Sequence, residues 1–156
     1  MVKESIKLSP FKLINQNGEI VKFPNKKVSI LFFYPKANTP GCTKEAVEFE
    51  SNLKKIKKLN ACVYGISKDS IKRQKNFSNK FNISLDLLSD ENNDICEKFG
   101  VWVKKSMYGR TFFGIERSTF VLGKNMKVLK EWRKVKVRDH VLEVMSYLKS
   151  ISVSYT

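Results

Sequence analysis

Histidine is nearly absent from this chain: His140 is the only one among 156 residues. That excludes histidine-rich metal sites, and any Ser-His or Cys-His hydrolase would have to use this one residue, which lies among charges near the C-terminus. Cysteine is scarce too. Cys42, Cys62 and Cys96 make an odd number, no two are close in sequence, and there is no CxxC. Neither a disulfide framework nor a paired-thiol reductase motif fits that usage. Long apolar runs are missing: VSILFFY (Val28–Tyr34) is the longest and is far too short to cross a bilayer. The start, MVKESIKLSP, has no charged region followed by an apolar core, so no secretory signal is expected. There is no internal repeat, low-complexity segment or linker. The expectation is one soluble domain over residues 1–156, cytoplasmic and without a membrane partner.

Acidic residues are also in short supply. Fifteen Asp and Glu face thirty Lys and Arg, for a net charge of +15. Such a surface attracts polyanions without sequence preference. The plainer reading is a solvated basic surface, because net charge bears on association and solubility rather than on fold.

What is present reads as alternating strands and helices. FKLINQNGEIVKF has short apolar stretches on either side of Asn17-Gly18, a hairpin signature. VSILFFY is β-branched and aromatic throughout, as a central strand covered on both faces would be, and Pro35 ends it. Ala46, Phe49, Leu53, Ile56 and Leu59 recur at three or four residues, predicting one helix from about Cys42 to Leu59. ACVYGIS (Ala61–Ser67) is a second buried strand. Asp69 or Ser70 is placed to cap a helix running to about Phe81. DLLSD leads into a short helix, NNDICEKFG, stopped at Gly100. STFVLG and KVLKEWRKVKV are strands around a turn at Gly123–Met126, and Val141, Val144, Leu148 and Ile151 mark a closing amphipathic helix. The pattern is α/β, with a mixed sheet flanked by helices.

Cys42 is the thiol best placed for chemistry. It follows the end of a central strand and opens the next helix, where sites in open α/β sheets gather. A helix's first turn offers unpaired N–H groups and a partial positive charge, and both favour the thiolate, the nucleophilic form. The competing reading is a buried, inert thiol.

YPKANTPGCTKE resembles the active-site stretch of the peroxiredoxins of the bacterioferritin comigratory protein (BCP/PrxQ) subgroup. Pro35, Thr39 and Cys42 meet the family pattern of proline, three residues, threonine or serine, two residues, cysteine. YGISKDS, LLSD, MYGR, GIERSTF and WRKVKV follow in the same order, so the likeness covers roughly residues 5 to 148. The resemblance implies a thioredoxin fold with an N-terminal hairpin extension. It also implies reduction of hydrogen peroxide or organic hydroperoxides through a Cys42 sulfenic acid. On the same footing Thr39 holds the incoming peroxide, and N–H groups near Gly41 and Cys42 face the pocket. Arg117 of GIERSTF matches the catalytic arginine, Pro35 shapes and shields the pocket, and Glu45 is an orienting partner. Thr39 as a mere helix cap, and Arg117 in a surface ion pair with Glu116 or Asp69, are the alternatives. No metal or organic cofactor is implied, and a monomer or weak dimer is expected.

The sequence departs from the subgroup at the second cysteine. Val47 stands five residues after Cys42, where many members carry a resolving cysteine, and Ser78 stands in the next helix, where others do. Cys62 reads as a buried strand residue and Cys96 as a half-buried helix position, both structural. The expectation is therefore a one-cysteine cycle closed by an external thiol, namely thioredoxin, glutaredoxin or a small thiol. Trp102, Met107 and Tyr108 are candidates for an apolar collar around the pocket that would favour bulkier hydroperoxides, or equally for core packing. The alternative function is weak, non-specific DNA binding or protection, which is compatible with peroxidase activity.

Overall fold

The computed structural model describes residues 8–154. Seven strands form one sheet in the order β2-β1-β5-β4-β3-β8-β9: β1 Phe11–Ile14, β2 Ile20–Phe23, β3 Val28–Phe33, β4 Ala61–Ser67, β5 Asp86–Ser89, β8 Ser118–Leu122 and β9 Val128–Trp132. A separate two-stranded ribbon pairs β6 Trp102–Met107 with β7 Arg110–Ile115. The helices are α1 Pro40–Ser51, α2 Leu53–Lys58, α3 Ile71–Phe81, α4 Ile95–Lys98 and α5 His140–Ser154.

The sheet is mixed for the reason the sequence gives. β3, α1, α2 and β4 make a crossover, so β3 and β4 run parallel, and β5 continues that direction beside β4. The hairpins β1–β2 and β8–β9 are antiparallel, as their turn residues require. Along β3 the side chains alternate between two cores. Ile30 and Phe32, with Tyr34 just beyond, pack with Ala46 and Phe49 of α1, Phe77 of α3 and Val144 of α5. Leu31 and Phe33 pack on the other face with Leu13, Phe23, Ile95, Phe99 and Phe120. An apolar residue at every position of this strand is what two covered faces demand.

Three features differ from the sequence reading. The expected long helix is two, because the chain breaks at Asn52 (φ −102°, ψ 7°), whose side-chain amide donates to the Glu48 carbonyl at 2.9 Å. That bond offers the backbone an alternative to the helical ladder. The strand expected to run through WRKVKV stops at Trp132, where Lys134 takes a positive φ of 50° and the chain turns back. The β6–β7 ribbon was not anticipated at all.

Candidate active site

α1 begins where β3 ends. Thr39 is its N-cap residue and Pro40 its first helical residue, so Cys42 lies in the first turn. The first helical bond runs from Thr43 N–H to Thr39 O at 2.8 Å, which leaves the Gly41 and Cys42 N–H groups without an intrahelical acceptor. Thr39 occupies the cap position, but its side chain does not cap. Its hydroxyl instead donates to the Lys36 carbonyl at 2.8 Å. With its proton engaged there, the oxygen keeps lone pairs with which to accept. Pro35 is exposed, in the loop joining β3 to α1.

Arg117, between β7 and β8, meets this turn from across 75 residues of sequence. Its Nη2 donates to Cys42 Sγ at 3.4 Å and its Nη1 to Glu45 Oε1 at 2.8 Å. The partner is thus Glu45, neither Glu116 nor Asp69. Glu45 and Cys42 lie on the same buried face of α1, three residues apart. Glu45 is fully buried, and among the described residues its Oε2 has no hydrogen-bond partner. Burial lifts its carboxyl to about 7, against the pull of Arg117. For Arg117, burial opposes the charge but Cys42 and Glu45 outweigh it, and the guanidinium is held above its ordinary value. Gly41 makes room for it, since a Cβ there would lie 3.1 Å from Arg117 Nη2.

Several supporting roles escaped the sequence reading. Asp69 Oδ2 accepts from the Ala37 N–H at 2.8 Å and from Ser67 Oγ at 2.7 Å, which ties the Pro35–Thr39 loop to the end of β4. Gln74 donates to Ser67 Oγ and to the Leu88 carbonyl, both at 3.0 Å, and is hydrogen-bonded by the Tyr34 hydroxyl. The capping role falls to Ser70, which accepts from Arg73 N–H. The Val135 N–H donates to the Arg117 carbonyl at 2.9 Å, so the chain that turns back after β9 fixes the arginine's backbone. Lys105 on β6 donates to the Ile115 carbonyl at 2.5 Å, and its ammonium is held below its ordinary value by burial and by Arg117. A buried polar cluster of this sort has no local sequence signal, because its members are far apart in the chain.

The other cysteines exchange the burial expected of them. Cys96 is fully buried and Cys62 only partly so. Cys42 belongs to the core on the α1 side of the sheet, whereas Cys96 and Cys62 pack on the opposite side. Burial and the neighbouring Asp90 push the Cys96 thiol far above its ordinary range. Val47 is exposed beside an open groove of about 450 Å³ lined also by Asn38, Thr39, Pro40, Thr43, Lys44 and Phe81. Ser78 is buried and donates to the Ile83 carbonyl at 2.5 Å. Of the three residues read as collar or core, only Trp102 packs against the core. Met107 and Tyr108 are exposed at the tip of the ribbon, while Trp102 stacks on Phe113 beneath Lys68. No described helix is long and apolar enough to cross a membrane.

The arrangement brings together a thiol in the first turn of a helix, a hydroxyl, N–H groups without an intrahelical acceptor and a cation held by a buried carboxyl. Comparisons with known proteins show the family. The AhpC/TSA family model matches residues 6–131. Peroxiredoxin Bcp of Bacillus subtilis is 41% identical over 148 residues, 94% of each chain. A putative peroxiredoxin bcp of Coxiella burnetii is 44% identical over 141 residues, covering 88% of this chain and 93% of its own. Among solved structures, the Xanthomonas campestris bacterioferritin comigratory protein, studied for its alkyl peroxide reduction activity, superimposes with a TM-score of 0.86. It is 37% identical, over 91% of this chain and 92% of its own. The chain belongs to the AhpC/TSA family and is a peroxiredoxin of the BCP/PrxQ type, a thiol-dependent peroxidase with the thioredoxin fold.

Proposed function

We propose that Cys42 is the peroxidatic nucleophile and that its cycle is closed by a thiol from another molecule. The single observation that carries this reading is the reach of Arg117 to Cys42 Sγ at 3.4 Å, at the first turn of α1. A thiolate at Cys42 attacks one peroxide oxygen and becomes a sulfenic acid as the O–O bond breaks. Charge grows on both oxygens in the transition state. The Gly41 and Cys42 N–H groups and the Arg117 guanidinium are the donors available to it. Thr39, whose own proton is held by Lys36 O, accepts the hydrogen of the bound hydroperoxide. Glu45 holds the guanidinium in place, and Pro35 bounds the pocket. Hydrogen peroxide and organic hydroperoxides are the substrates. The chain acts as one domain in the cytoplasm, as a monomer or weak dimer.

The one-cysteine cycle rests on the two remaining thiols packing across the sheet from Cys42, with Val47 and Ser78 at the resolving positions. Thioredoxin, glutaredoxin and a small thiol are the candidate reductants. The comparisons lend no support to the DNA-binding alternative. A peroxide-consumption assay with each reductant in turn, on wild type and on Cys42→Ser, tests the reading. The expected result is turnover that Cys42→Ser abolishes. Turnover surviving in Cys42→Ser would refute the assignment.

A further inference from the structure

The Cys42–Arg117–Glu45 trio contains one more acidic group than its cation can balance. One guanidinium donates through Nη2 to the sulfur at 3.4 Å and through Nη1 to Glu45 Oε1 at 2.8 Å. Glu45 Oε2 is buried with no partner among the described residues. If thiol and carboxyl were both ionised, the site would hold two anions against one cation, with a charged oxygen unsolvated. The one further cation that feels Cys42, Lys105 on β6, donates to the Ile115 carbonyl and leaves the buried Oε2 without a donor, while Glu48 on α1 adds negative charge beside Glu45. Glu116 precedes Arg117 and adds negative charge near Lys105. His140 on α5 is bonded to Thr119 and neutral near pH 7, its value lowered to about 4 by burial and Arg117.

We infer that Glu45 is the proton store of the peroxidase cycle: it is a neutral acid while Cys42 is a thiolate and loses that proton when Cys42 is oxidised. The inference rests on the reading of Cys42 as the nucleophile. In the reacting state the thiolate takes the charge of Arg117, and the partnerless Oε2 carries a proton, because an unsolvated hydroxyl costs less than an unsolvated anion. Attack on the hydroperoxide removes the thiolate charge. The freed guanidinium then favours a carboxylate at Glu45, and the carboxyl releases its proton. The balance is Cys42–S⁻ plus Glu45–COOH plus ROOH giving Cys42–SOH plus Glu45–COO⁻ plus ROH. Sulfur is oxidised, the O–O bond is reduced, and the leaving oxygen gains a proton in the same turnover in which Glu45 loses one. The elevated value of Glu45, about 7, puts the exchange within reach at neutral pH.

The test follows protons during a single turnover with hydrogen peroxide near pH 6, below the raised value of Glu45, using a pH indicator in weakly buffered solution. Mass spectrometry of the same samples counts chains that have gained one oxygen. Wild type is expected to form the sulfenic acid with no net proton uptake. Glu45→Gln, unable to release a proton, is expected to take up about one per sulfenic acid formed. Infrared difference spectra of the wild type should show a buried protonated carboxyl band lost on oxidation. This measurement also decides the matter if Glu45→Gln does not fold. Equal uptake in the two proteins, or no carboxyl band lost in wild type, would overturn the inference. Failure of wild type to form any sulfenic acid would instead overturn the reading of Cys42.

Discussion

Gly41 and Arg117 touch across the first turn of α1 so closely that a Cβ at position 41 would stand 3.1 Å from Nη2. The guanidinium is the flexible end of its side chain, yet it is held at both nitrogens, by Glu45 and by Cys42. It cannot yield without lengthening one of those bonds.

Gly41→Ala is accordingly expected to leave the fold intact and lower kcat/KM roughly tenfold, since displacements well under 1 Å are costly where donors are pre-aimed. Peroxide-consumption kinetics beside a thermal melt check this. Loss of stability without loss of activity would contradict it.

Arg117→Lys keeps the charge but loses the fork. A single ammonium cannot serve Sγ and Oε1 in the geometry the guanidinium does. The expected loss in kcat/KM is on the order of 10²-fold. A lysine variant within a few-fold of wild type would mean that charge alone suffices.

The cysteines should separate cleanly. Cys62→Ala and Cys96→Ala are expected to retain turnover within about twofold, with Cys96→Ala the less stable by about 1 kcal/mol because its side chain is fully buried. Peroxide treatment followed by non-reducing peptide mapping should yield no intrachain disulfide in wild type. A quantitative Cys42–Cys96 or Cys42–Cys62 bond would end the one-cysteine account.

Asp69→Ala removes the acceptor shared by the Ala37 N–H and Ser67 Oγ. Leaving such donors buried costs about 1–3 kcal/mol. The effect should reach the chemistry as well, because that carboxylate holds the loop ending at Thr39. Urea unfolding and kcat/KM should fall together, whereas a change in stability alone would make the loop's anchoring irrelevant to catalysis.

His140 gives stability a pH dependence. Its folded value lies near 4, lowered first by burial, while the unfolded chain titrates near 6.5. The unfolded state therefore binds the proton first, and the contribution of His140 is complete above 6.5 and lost as pH falls toward 4. Glu45 acts in the opposite sense, because its folded value is raised from 4.5 to about 7 and its contribution is lost as pH rises through that interval. The comparison must therefore be wild type against His140→Gln. Their difference in unfolding free energy should shrink by on the order of 2 kcal/mol between pH 7 and pH 4. A difference independent of pH would sink the assignment.

Much of the fold was legible. The unbroken apolar run of β3 announced two covered faces, and Asn17-Gly18 and Gly123–Met126 announced hairpins that the structure contains. Cys42 at a strand-to-helix junction was legible for the same local reason. Elsewhere the signal was absent or misleading. The apolar spacing of Phe49, Leu53, Ile56 and Leu59 continues through Asn52, so periodicity alone cannot report the break there. The β6–β7 ribbon has scarcely any buried positions, hence no alternation to detect, and its turn uses Tyr108-Gly109, both at positive φ, rather than a familiar turn pair. Arg117 and Glu45 could be named by resemblance, but only tertiary packing shows that they bond each other. Asp69 reads as a helix cap or an ion-pair partner of Arg117, and Gln74 as an ordinary polar residue, because their actual partners lie on other elements.

The sheet between Cys42 and the other two thiols has a kinetic meaning. Among the described residues, an oxidising equivalent that reaches Cys42 finds no second thiol on its own side of the sheet in which to rest. Under the proposed one-cysteine cycle, the lifetime of the oxidised chain is set by encounters and shortens as the concentration of reducing thiol outside it rises. At steady state the oxidised fraction becomes a gauge of the ratio of peroxide to reductant, and scarcity of reductant lengthens the interval in which a second peroxide can push the sulfur further up the oxidation ladder.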